Sequence, residues 1–348
     1  MATELSEFRE LEISDLIAPF PLEKRDNSRL MIINRKDKTI KHSFFYDIIN
    51  YLNPGDCIIL NETMVVKNKI YLTDEMGNKK DILLLKKIGE DGKSWIALSK
   101  KINPSKKYFL EGGIKILEIK KKDDGSFVFY FESPITDDYI LKYGKIPLPA
   151  YIEKRRKKIE EKNSFYEDDL RYQTVFAKEP GSVAAPTAGF HFSEELLNLI
   201  SSKGVKVVKI LLHIGWGTFK MVREDPENFV MPGEYCRILP AAADIINETK
   251  KNGKRIFAVG TSTMRTIEKM KTRDGFVKAG ETETDIFISI GHKFSVADAF
   301  ITNFHVPDSP PLYMTAAFCG KELLFKAYKE AVKEKYRFYS YGDSCLII

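Results

Sequence analysis

Three of the five histidines, His191, His213 and His305, lie in segments rich in glycine, threonine and aromatic residues. Neutral imidazoles act as acids or bases near neutral pH, so these side chains are candidates for proton transfer. Two other interpretations stay open, since each could be a structural histidine or the three could ligate a metal ion. Aromatic neighbours could face a cationic or purine-like ligand or pack in the core; they are Phe190, Phe192, Trp216 and Phe304.

These histidines belong to a set of polar, glycine-punctuated segments that we expect at the ends of sheet strands. The four segments are residues 172–192, 212–219, 259–265 and 301–309. Small residues let the backbone approach a ligand, and a helix predicted to begin after Ser193 offers unpaired N–H groups. Ligands of open α/β sheets bind beyond the carboxyl ends of the strands, so we expect a ligand site there.

The common nucleotide and hydrolase motifs are absent. Residues 92–94, Gly-Lys-Ser, lack the glycine that a P-loop carries five positions earlier. Residues 215–217, Gly-Trp-Gly, follow a predicted strand but lack the third glycine of a dinucleotide fingerprint. No Gly-x-Ser-x-Gly elbow occurs, which disfavours an α/β-hydrolase.

The secondary-structure elements that must position these segments follow two different sequence patterns. Between about residues 68 and 138, short apolar runs alternate with glycine-rich turns, which is typical of a small antiparallel barrel or sandwich. Elsewhere predicted helices alternate with apolar strands, which favours a mostly parallel sheet. The predicted strands there are 57–60, 205–212, 256–259, 287–290 and the C-terminus around Cys345, and the predicted helices are 194–202, 241–252, 262–271 and 321–334.

The sequence therefore predicts an α/β fold with a mostly parallel sheet flanked by helices and a small inserted antiparallel β-barrel. We expect residues 1–67 and 147–348 to form the α/β domain and residues 68–146 to form the barrel. The stiff segment Pro-Leu-Pro-Ala-Tyr at 147–151 connects the two, and a basic run at 154–158 follows it. That run could contact phosphates or form a solvated charged segment.

Composition excludes some classes of protein. The 348 residues are 43% hydrophobic and 30% charged, which excludes a disordered chain, and no apolar run of about 18 residues occurs. The net charge of +6 suits a polyanionic partner or an ordinary lysine-rich surface. The polar N-terminus and four scattered cysteines indicate a reduced cytoplasmic protein, without a secretory signal, a structural metal or a membrane span.

Taken together, the ordered motifs resemble the S-adenosylmethionine:tRNA ribosyltransferase-isomerase family of queuosine biosynthesis. The resemblance runs from about residue 11 to the C-terminus. Its motifs are residues 15–18, 25–30, 61–63, 171–177, 181–192, 213–219, 258–265, 302–305 and 337–343.

The resemblance implies transfer of the ribosyl part of S-adenosylmethionine to a 7-aminomethyl-7-deazaguanine at the wobble position of a tRNA. Rearrangement of the ribosyl ring gives an epoxycyclopentanediol, and adenine and methionine leave. The family also implies a larger α/β domain with an inserted β-barrel. We expect no metal or redox cofactor and no membrane partner. We expect the protein to be a monomer.

This chemistry requires a base for a proton beside the sulfonium, an acid for the departing adenine, and contacts to both purine-like rings. On the resemblance, His191, His213 and His305 are candidates for proton transfer, with Glu234 as an acidic partner. Candidate cosubstrate contacts are Thr187, Gly189, Gly217, Thr218, Thr261 and Asn303. Candidate contacts to RNA or another anion are Arg25, Arg29 and Arg171, for which ordinary ion pairs are the alternative.

Two positions depart from the family pattern. Pro232 and Gly233 precede Glu234 where the family usually has a histidine, so any role of that histidine is missing. Pro310 and Pro311 replace a Thr-Leu pair, which removes a backbone donor and a hydroxyl. Competing functions are an S-adenosylmethionine-dependent RNA methyltransferase, which would release S-adenosylhomocysteine, and a non-catalytic tRNA-binding protein.

Overall fold

The structure is a computed structural model that describes residues 4–100, 102–159, 168–223 and 225–348, without the side chains of residues 218 and 219. Contacts divide the chain into two compact units. The larger unit comprises Met1–Met64 and Pro149–Ile348, and the smaller unit comprises Val65–Leu148.

Seventeen strands occur in the described residues. In chain order they are β1 (Arg29–Ile33), β2 (Ile40–Phe44), β3 (Cys57–Asn61), β4 (Thr63–Val65), β5 (Lys69–Asp74), β6 (Lys79–Ile88), β7 (Ser94–Leu98), β8 (Tyr108–Leu110), β9 (Ile116–Lys121), β10 (Phe127–Phe131), β11 (Glu179–Ser182), β12 (Lys206–Leu212), β13 (Glu234–Ile238), β14 (Ile256–Val259), β15 (Gly280–Thr284), β16 (Ala299–Asn303) and β17 (Ser344–Ile347).

The same residues form eight α-helices and several 3₁₀ helices. The α-helices are α1 (Asp137–Tyr143), α2 (Ala150–Lys158), α3 (Asp168–Arg171), α4 (Glu194–Ser202), α5 (Pro240–Lys251), α6 (Gly260–Lys269), α7 (Pro310–Cys319) and α8 (Lys321–Lys333). The 3₁₀ helices are Ser6–Glu10, Ser14–Leu16, Arg25–Asn27, Phe45–Tyr51, Thr187–His191, Trp216–Phe219 and Pro226–Asn228.

The main sheet of the larger unit has nine strands in the order β15-β13-β12-β3-β14-β16-β17-β1-β2. The prediction of a mostly parallel sheet is wrong, because the sheet is mixed. Its centre, β12-β3-β14-β16, is parallel, and β17 pairs parallel with β1, but the other four pairings are antiparallel. The short turn between β1 and β2 can only return the chain antiparallel, since a parallel return needs a long crossover.

Helices cover both faces of this sheet. Along β3 the side chains alternate between two apolar clusters, with Cys57 and Ile59 in one and Ile58 and Leu60 in the other. Helices α5, α6, α7 and α8 contribute to the first cluster, while α4 and the 3₁₀ helix Phe45–Tyr51 contribute to the second. The alternating helix–strand pattern therefore correctly predicts a mixed α and β architecture with a covered sheet.

The carboxyl ends of the four central strands lie at one edge of the sheet, because those strands are parallel. Strand β17 runs antiparallel to β16, with Ser344 opposite Asn303, so its beginning lies at this edge as well. Strand β1 pairs in parallel with β17, with Leu30 opposite Ser344, which brings the preceding Ser28 to the same edge. The polar segments of the sequence therefore meet at the edge where ligands of open α/β sheets bind.

The smaller unit contains a six-stranded antiparallel sheet in the order β8-β5-β6-β7-β10-β9. A bridge between Phe109 and Lys115 joins its two ends, so the sheet nearly closes into a barrel around an apolar interior that includes Ile82, Phe129 and Phe131. The sequence predicts β6, β7, β9 and β10, whereas β5 and β8 are missed.

Residues 287–290, predicted as a strand, are irregular, and β15 forms just before them at Gly280–Thr284. The C-terminal strand predicted around Cys345 is confirmed as β17. All four cysteines are buried and unpaired. Among the described residues, no helix has the length and apolar character that a bilayer crossing requires.

Candidate functional site

Asn61, the buried last residue of β3, bonds to neighbouring elements at the edge where the polar segments meet. Its Oδ1 accepts hydrogen bonds from the backbone N–H of Leu212, at 3.0 Å, and of Thr63, at 3.2 Å. Its Nδ2 donates to the carbonyl oxygen of Leu212, at 2.9 Å, and to Ser262 Oγ, at 3.0 Å. One amide therefore fixes the ends of β3 and β12 and the first turn of α6 relative to one another.

His191 ends the 3₁₀ helix Thr187–His191 and is buried against the ring of Phe45, with a centroid distance of 5.0 Å. Asn303 Nδ2 lies 3.2 Å from His191 Nε2, and Ser28 Oγ lies 2.7 Å from Nδ1. Because the Asn303 amide is a donor, Nε2 accepts and Nδ1 carries the proton that is donated to Ser28. His191 is thus held as one tautomer of a neutral imidazole.

Burial lowers the pKa of His191 to about 3, and the positive charges of Arg337 and Arg25 act in the same direction. The hydrogen bond with Asn303 opposes this shift. The ring therefore carries no charge at neutral pH. Such an imidazole is suited to hydrogen bonding and is a weak base.

His213 follows β12 and is only half-buried. Thr63 Oγ1 lies 2.8 Å from its Nδ1, and the ring stacks on Tyr235 at a centroid distance of 5.7 Å. On the other side a Cβ at Gly181 would lie 2.8 Å from the ring, so only glycine leaves space for it. Desolvation lowers the pKa of His213, which the Glu179 carboxylate partly opposes.

His305 follows β16, and its Nε2 lies 2.7 Å from Thr302 Oγ1. Its backbone N–H donates to the Tyr328 hydroxyl at 2.6 Å, which anchors the loop to α8. Desolvation lowers the pKa of His305 to about 3. His305 is therefore also neutral.

Glu234, predicted as an acidic partner, begins β13 and forms a buried ion pair with Arg265 of α6. Its Oε1 accepts from the backbone N–H of Gly215 at 2.6 Å. Arg265 also donates to the carbonyl oxygens of Ile286, at 3.2 Å, and Thr284, at 3.1 Å. The carboxylate therefore holds the loop after β12 in place through one arginine and one amide.

Three of the predicted cosubstrate residues come together. Thr187 Oγ1 donates to Asn303 Oδ1 at 3.3 Å, and a Cβ at Gly260, the residue before Thr261, would lie 3.6 Å from the Ala188 side chain. The 3₁₀ helix that carries Thr187 thus sits over the beginning of α6 and the end of β16.

The two predicted glycines pack tightly against protein neighbours. A Cβ at Gly189 would lie 2.7 Å from the side chain of Thr174, and one at Gly217 would lie 2.6 Å from Pro232. Packing alone therefore requires glycine at both positions. The side chain of Thr218, also predicted as a cosubstrate contact, lies outside the described residues.

Two of the three predicted anion contacts line one cleft. Arg25 and Arg171 lie in it with His191, whereas Arg29 packs over the Tyr336 ring at 3.7 Å and donates to the Glu334 carbonyl oxygen at 2.6 Å. The described residues that line the cleft are Pro21, Leu22, Arg25, Ser28, Arg171, Phe190, His191, Arg337, Ser340, Tyr341 and Gly342.

Sequence reasoning missed Asn61, Ser28 and Arg337 as individual site residues. All three fall within the motifs that carry the family resemblance, which was the available signal. Their roles depend on which strand ends meet. Neither composition nor spacing specifies that.

The two departures from the family pattern have local explanations. Pro232 packs on Gly217, as the short distance above requires. Pro310 and Pro311 begin α7 behind the N-cap Ser309, whose side chain accepts from the Leu312 N–H. The first turn of a helix has no intrahelical use for the missing N–H, so proline suits these positions.

Comparison with known proteins agrees with these motifs. A family model described as queuosine biosynthesis protein matches residues 8–347. An S-adenosylmethionine:tRNA ribosyltransferase-isomerase of Thermoanaerobacter sp. (strain X514) is 44% identical over 341 residues, covering 96% of each chain. One of Clostridioides difficile (strain 630) is 44% identical over 340 residues, again covering 96% of each.

A solved structure is also similar to this chain over nearly its whole length. The crystal structure of an S-adenosylmethionine tRNA ribosyltransferase from Thermotoga maritima aligns with 97% of this chain and 98% of its own, with 30% identity and a TM-score of 0.53. Since the family model spans nearly the whole chain and relatives share over 40% identity across it, the chain belongs to the queuosine biosynthesis protein family.

Proposed function

We propose that this protein is an S-adenosylmethionine:tRNA ribosyltransferase-isomerase. It transfers the ribosyl part of S-adenosylmethionine to 7-aminomethyl-7-deazaguanine at the wobble position of tRNA and isomerises it. The products are epoxyqueuosine-tRNA, adenine and methionine. Membership in the queuosine biosynthesis family and relatives of this name support the reaction.

The single structural observation that carries the proposal is that His191, His213 and His305 all follow or face strand ends at one edge and all have a lowered pKa. S-adenosylmethionine carries a sulfonium cation, which a charged imidazole would repel. Neutral rings avoid that repulsion, and in His213 the bond to Thr63 occupies only Nδ1. The sulfonium also acidifies the adjacent carbon, so a modest base suffices.

We assign proton transfer first to His213. Among the described residues its hydrogen-bond partner, Thr63, is at Nδ1, and the half-buried ring leaves Nε2 for a substrate. His191 has partners at both ring nitrogens and therefore suits a positioning role, in which it orients Asn303 toward the cosubstrate. His305 anchors the loop after β16 through Thr302.

We further propose that the reaction needs no metal or redox cofactor and occurs in the cytoplasm with a monomeric protein. Four buried, unpaired cysteines suit a reducing compartment. Activity that is unchanged after treatment with a chelator would support the first part. A single species of about 40 kDa in light scattering would support the last part.

The test is a reaction of the protein with S-adenosylmethionine and tRNA that bears the aminomethyl-deazaguanine base, followed by chromatography and tRNA mass analysis. Adenine and methionine, together with a mass gain on the tRNA, are expected. S-adenosylhomocysteine would instead identify a methyltransferase, and tRNA binding without turnover would identify a binding protein.

The histidine assignment is tested with the same assay. His213→Ala should lower the rate of adenine release by about 100-fold or more, because general acid–base catalysis contributes that much. His292→Asn is the matched control, since His292 bonds Glu268 away from the strand ends. A wild-type rate for His213→Ala would contradict the assignment.

A further inference from the structure

The cleft that contains His191 holds the guanidinium groups of Arg25 and Arg171, and no salt bridge joins either of them to a carboxylate in the part of the chain that the structure describes. Arg25 donates to the carbonyl oxygens of Phe190, at 3.4 Å, and Leu170, at 3.5 Å, and Arg171 donates to that of Leu22 at 2.5 Å. Among the described residues neither guanidinium forms an ion pair. Backbone carbonyls orient both groups but do not neutralise them.

The arrangement is electrostatically unfavourable without an anion. Desolvation lowers the pKa of Arg25 to about 10, and the neighbouring positive charge of Arg171 contributes. A third guanidinium, Arg337, lines the same cleft. An anion bound between these groups would remove the repulsion and gain hydrogen bonds to the guanidinium groups.

We infer that the cleft of Arg25, Arg171 and Arg337 binds a phosphodiester of the tRNA beside the reacting nucleotide, an inference that rests on the proposed function. Ser28 lines the same cleft, and because its oxygen accepts from His191 Nδ1, its own proton can be donated to a phosphate oxygen. His191 in the lining joins the cleft to the proposed reaction site.

The lining favours a phosphodiester over the amino-acid end of S-adenosylmethionine, the other source of an oxyanion. That end pairs its carboxylate with an ammonium group, which needs an acceptor. No Asp or Glu occurs in the described lining. Asp168 bonds the Tyr341 hydroxyl, but Arg156 already occupies both of its oxygens, at 2.6 and 2.9 Å.

The experiment measures equilibrium binding of the base-modified tRNA over a range of salt concentrations, for wild type, Arg25→Gln and Arg171→Gln. Each variant should bind tRNA about tenfold more weakly, and the slope of log K against log salt should fall by about 1. Affinity for S-adenosylmethionine, measured by calorimetry, should not change. Arg25→Lys should restore the salt slope, since it restores the charge.

Arg35→Gln is the matched control, because Arg35 also donates to carbonyl oxygens and stacks on Phe318, but follows the far end of β1. A loss of S-adenosylmethionine affinity with tRNA binding intact would overturn the inference in favour of the carboxylate. Wild-type tRNA affinity and slope in both cleft variants would overturn it outright. Adenine release is assayed separately. If the wild-type protein binds tRNA but releases no adenine, the proposed function is refuted, and the comparison of tRNA affinities still decides whether the cleft binds a phosphodiester.

Discussion

The two compact units carry positive charge in different ways. The smaller unit, residues 65–148, has 17 lysines, 12 acidic residues and no arginine, and therefore holds +5 of the chain's net charge of +6. All 13 arginines lie in the larger unit, which is nearly balanced in charge. Most of the net positive charge therefore lies in the smaller unit, whereas all the guanidinium groups lie in the larger unit.

The side chains of the two units also differ in how firmly they are held. Lysines such as Lys86 and Lys120 on the barrel are exposed, and Glu118, which pairs with Lys120, is exposed as well. In the larger unit, Arg25, Arg171 and Arg265 donate to named carbonyl or carboxylate oxygens. A planar guanidinium fixed in this way can orient an anion, whereas a solvated ammonium mainly attracts one.

The largest effect predicted from this difference is the loss of stability on breaking the Glu234–Arg265 pair. Arg265→Ala leaves the Glu234 carboxylate buried without its counter-charge and removes two donors to carbonyl oxygens. The free energy of unfolding should fall by about 3–5 kcal/mol. Chemical denaturation followed by circular dichroism measures this.

Lys120→Ala on the barrel is the control, because Lys120 pairs with Glu118 at 3.2 Å and both side chains are more than half exposed. Its denaturation midpoint should stay close to that of wild type, because exposed ion pairs contribute little to stability. Equal effects of the two substitutions would mean that the two units do not differ in how they hold charge.

Much of the fold could be predicted from the sequence because its signals are local. Ser193 caps α4, and the apolar run after Gly204 forms β12, as the spacing predicts. The error in sheet type has a physical cause: β13 and β17 are short strands, and the direction in which each pairs depends on contacts distant in sequence. Alternation of helix and strand cannot specify those pairings.

The sequence predicts which segments form the candidate site, but not which partner each side chain contacts there. Glu234 was predicted to be an acidic partner in catalysis, and the structure buries it in an ion pair with Arg265. Arg29 and Arg25 look alike in the sequence, yet one packs on Tyr336 and the other lines the cleft. Which partner a side chain meets is decided by the sheet register, so residue type and motif membership alone do not assign it.

The second prediction concerns acid sensitivity, since all five histidines lie in the larger unit. The pKa of His191 is about 3 in the folded protein and near 6.5 when unfolded. Below pH 6.5 the unfolded chain binds a proton that the folded protein does not, so stability is present above that pH and is lost as the pH falls. At pH 5 the loss from His191 is about 2 kcal/mol.

Urea denaturation at pH 7 and pH 5 measures this loss, which should be smaller in His191→Asn than in wild type. The barrel should not contribute in that window. Hydrogen bonds from Asn78 and Ser126 lower the pKa values of Asp74 and Asp124, so their contribution is lost only as the pH falls below the usual carboxyl range. An equal pH loss in His191→Asn and wild type would contradict the assignment to His191.

The smallest predicted effect is on the barrel surface, where Lys120 and Lys121 are both exposed on β9. Replacing both by Gln should leave the denaturation midpoint close to that of wild type, because neither side chain is buried. Affinity for tRNA should fall by less than about threefold at low salt and not at all near 0.3 M salt, because screening removes diffuse attraction between exposed charges. Binding titrations at both salt concentrations, beside Arg25→Gln, test this. A loss as large as that of Arg25→Gln would mean that barrel lysines make fixed phosphate contacts, and charge on the two units would then act alike.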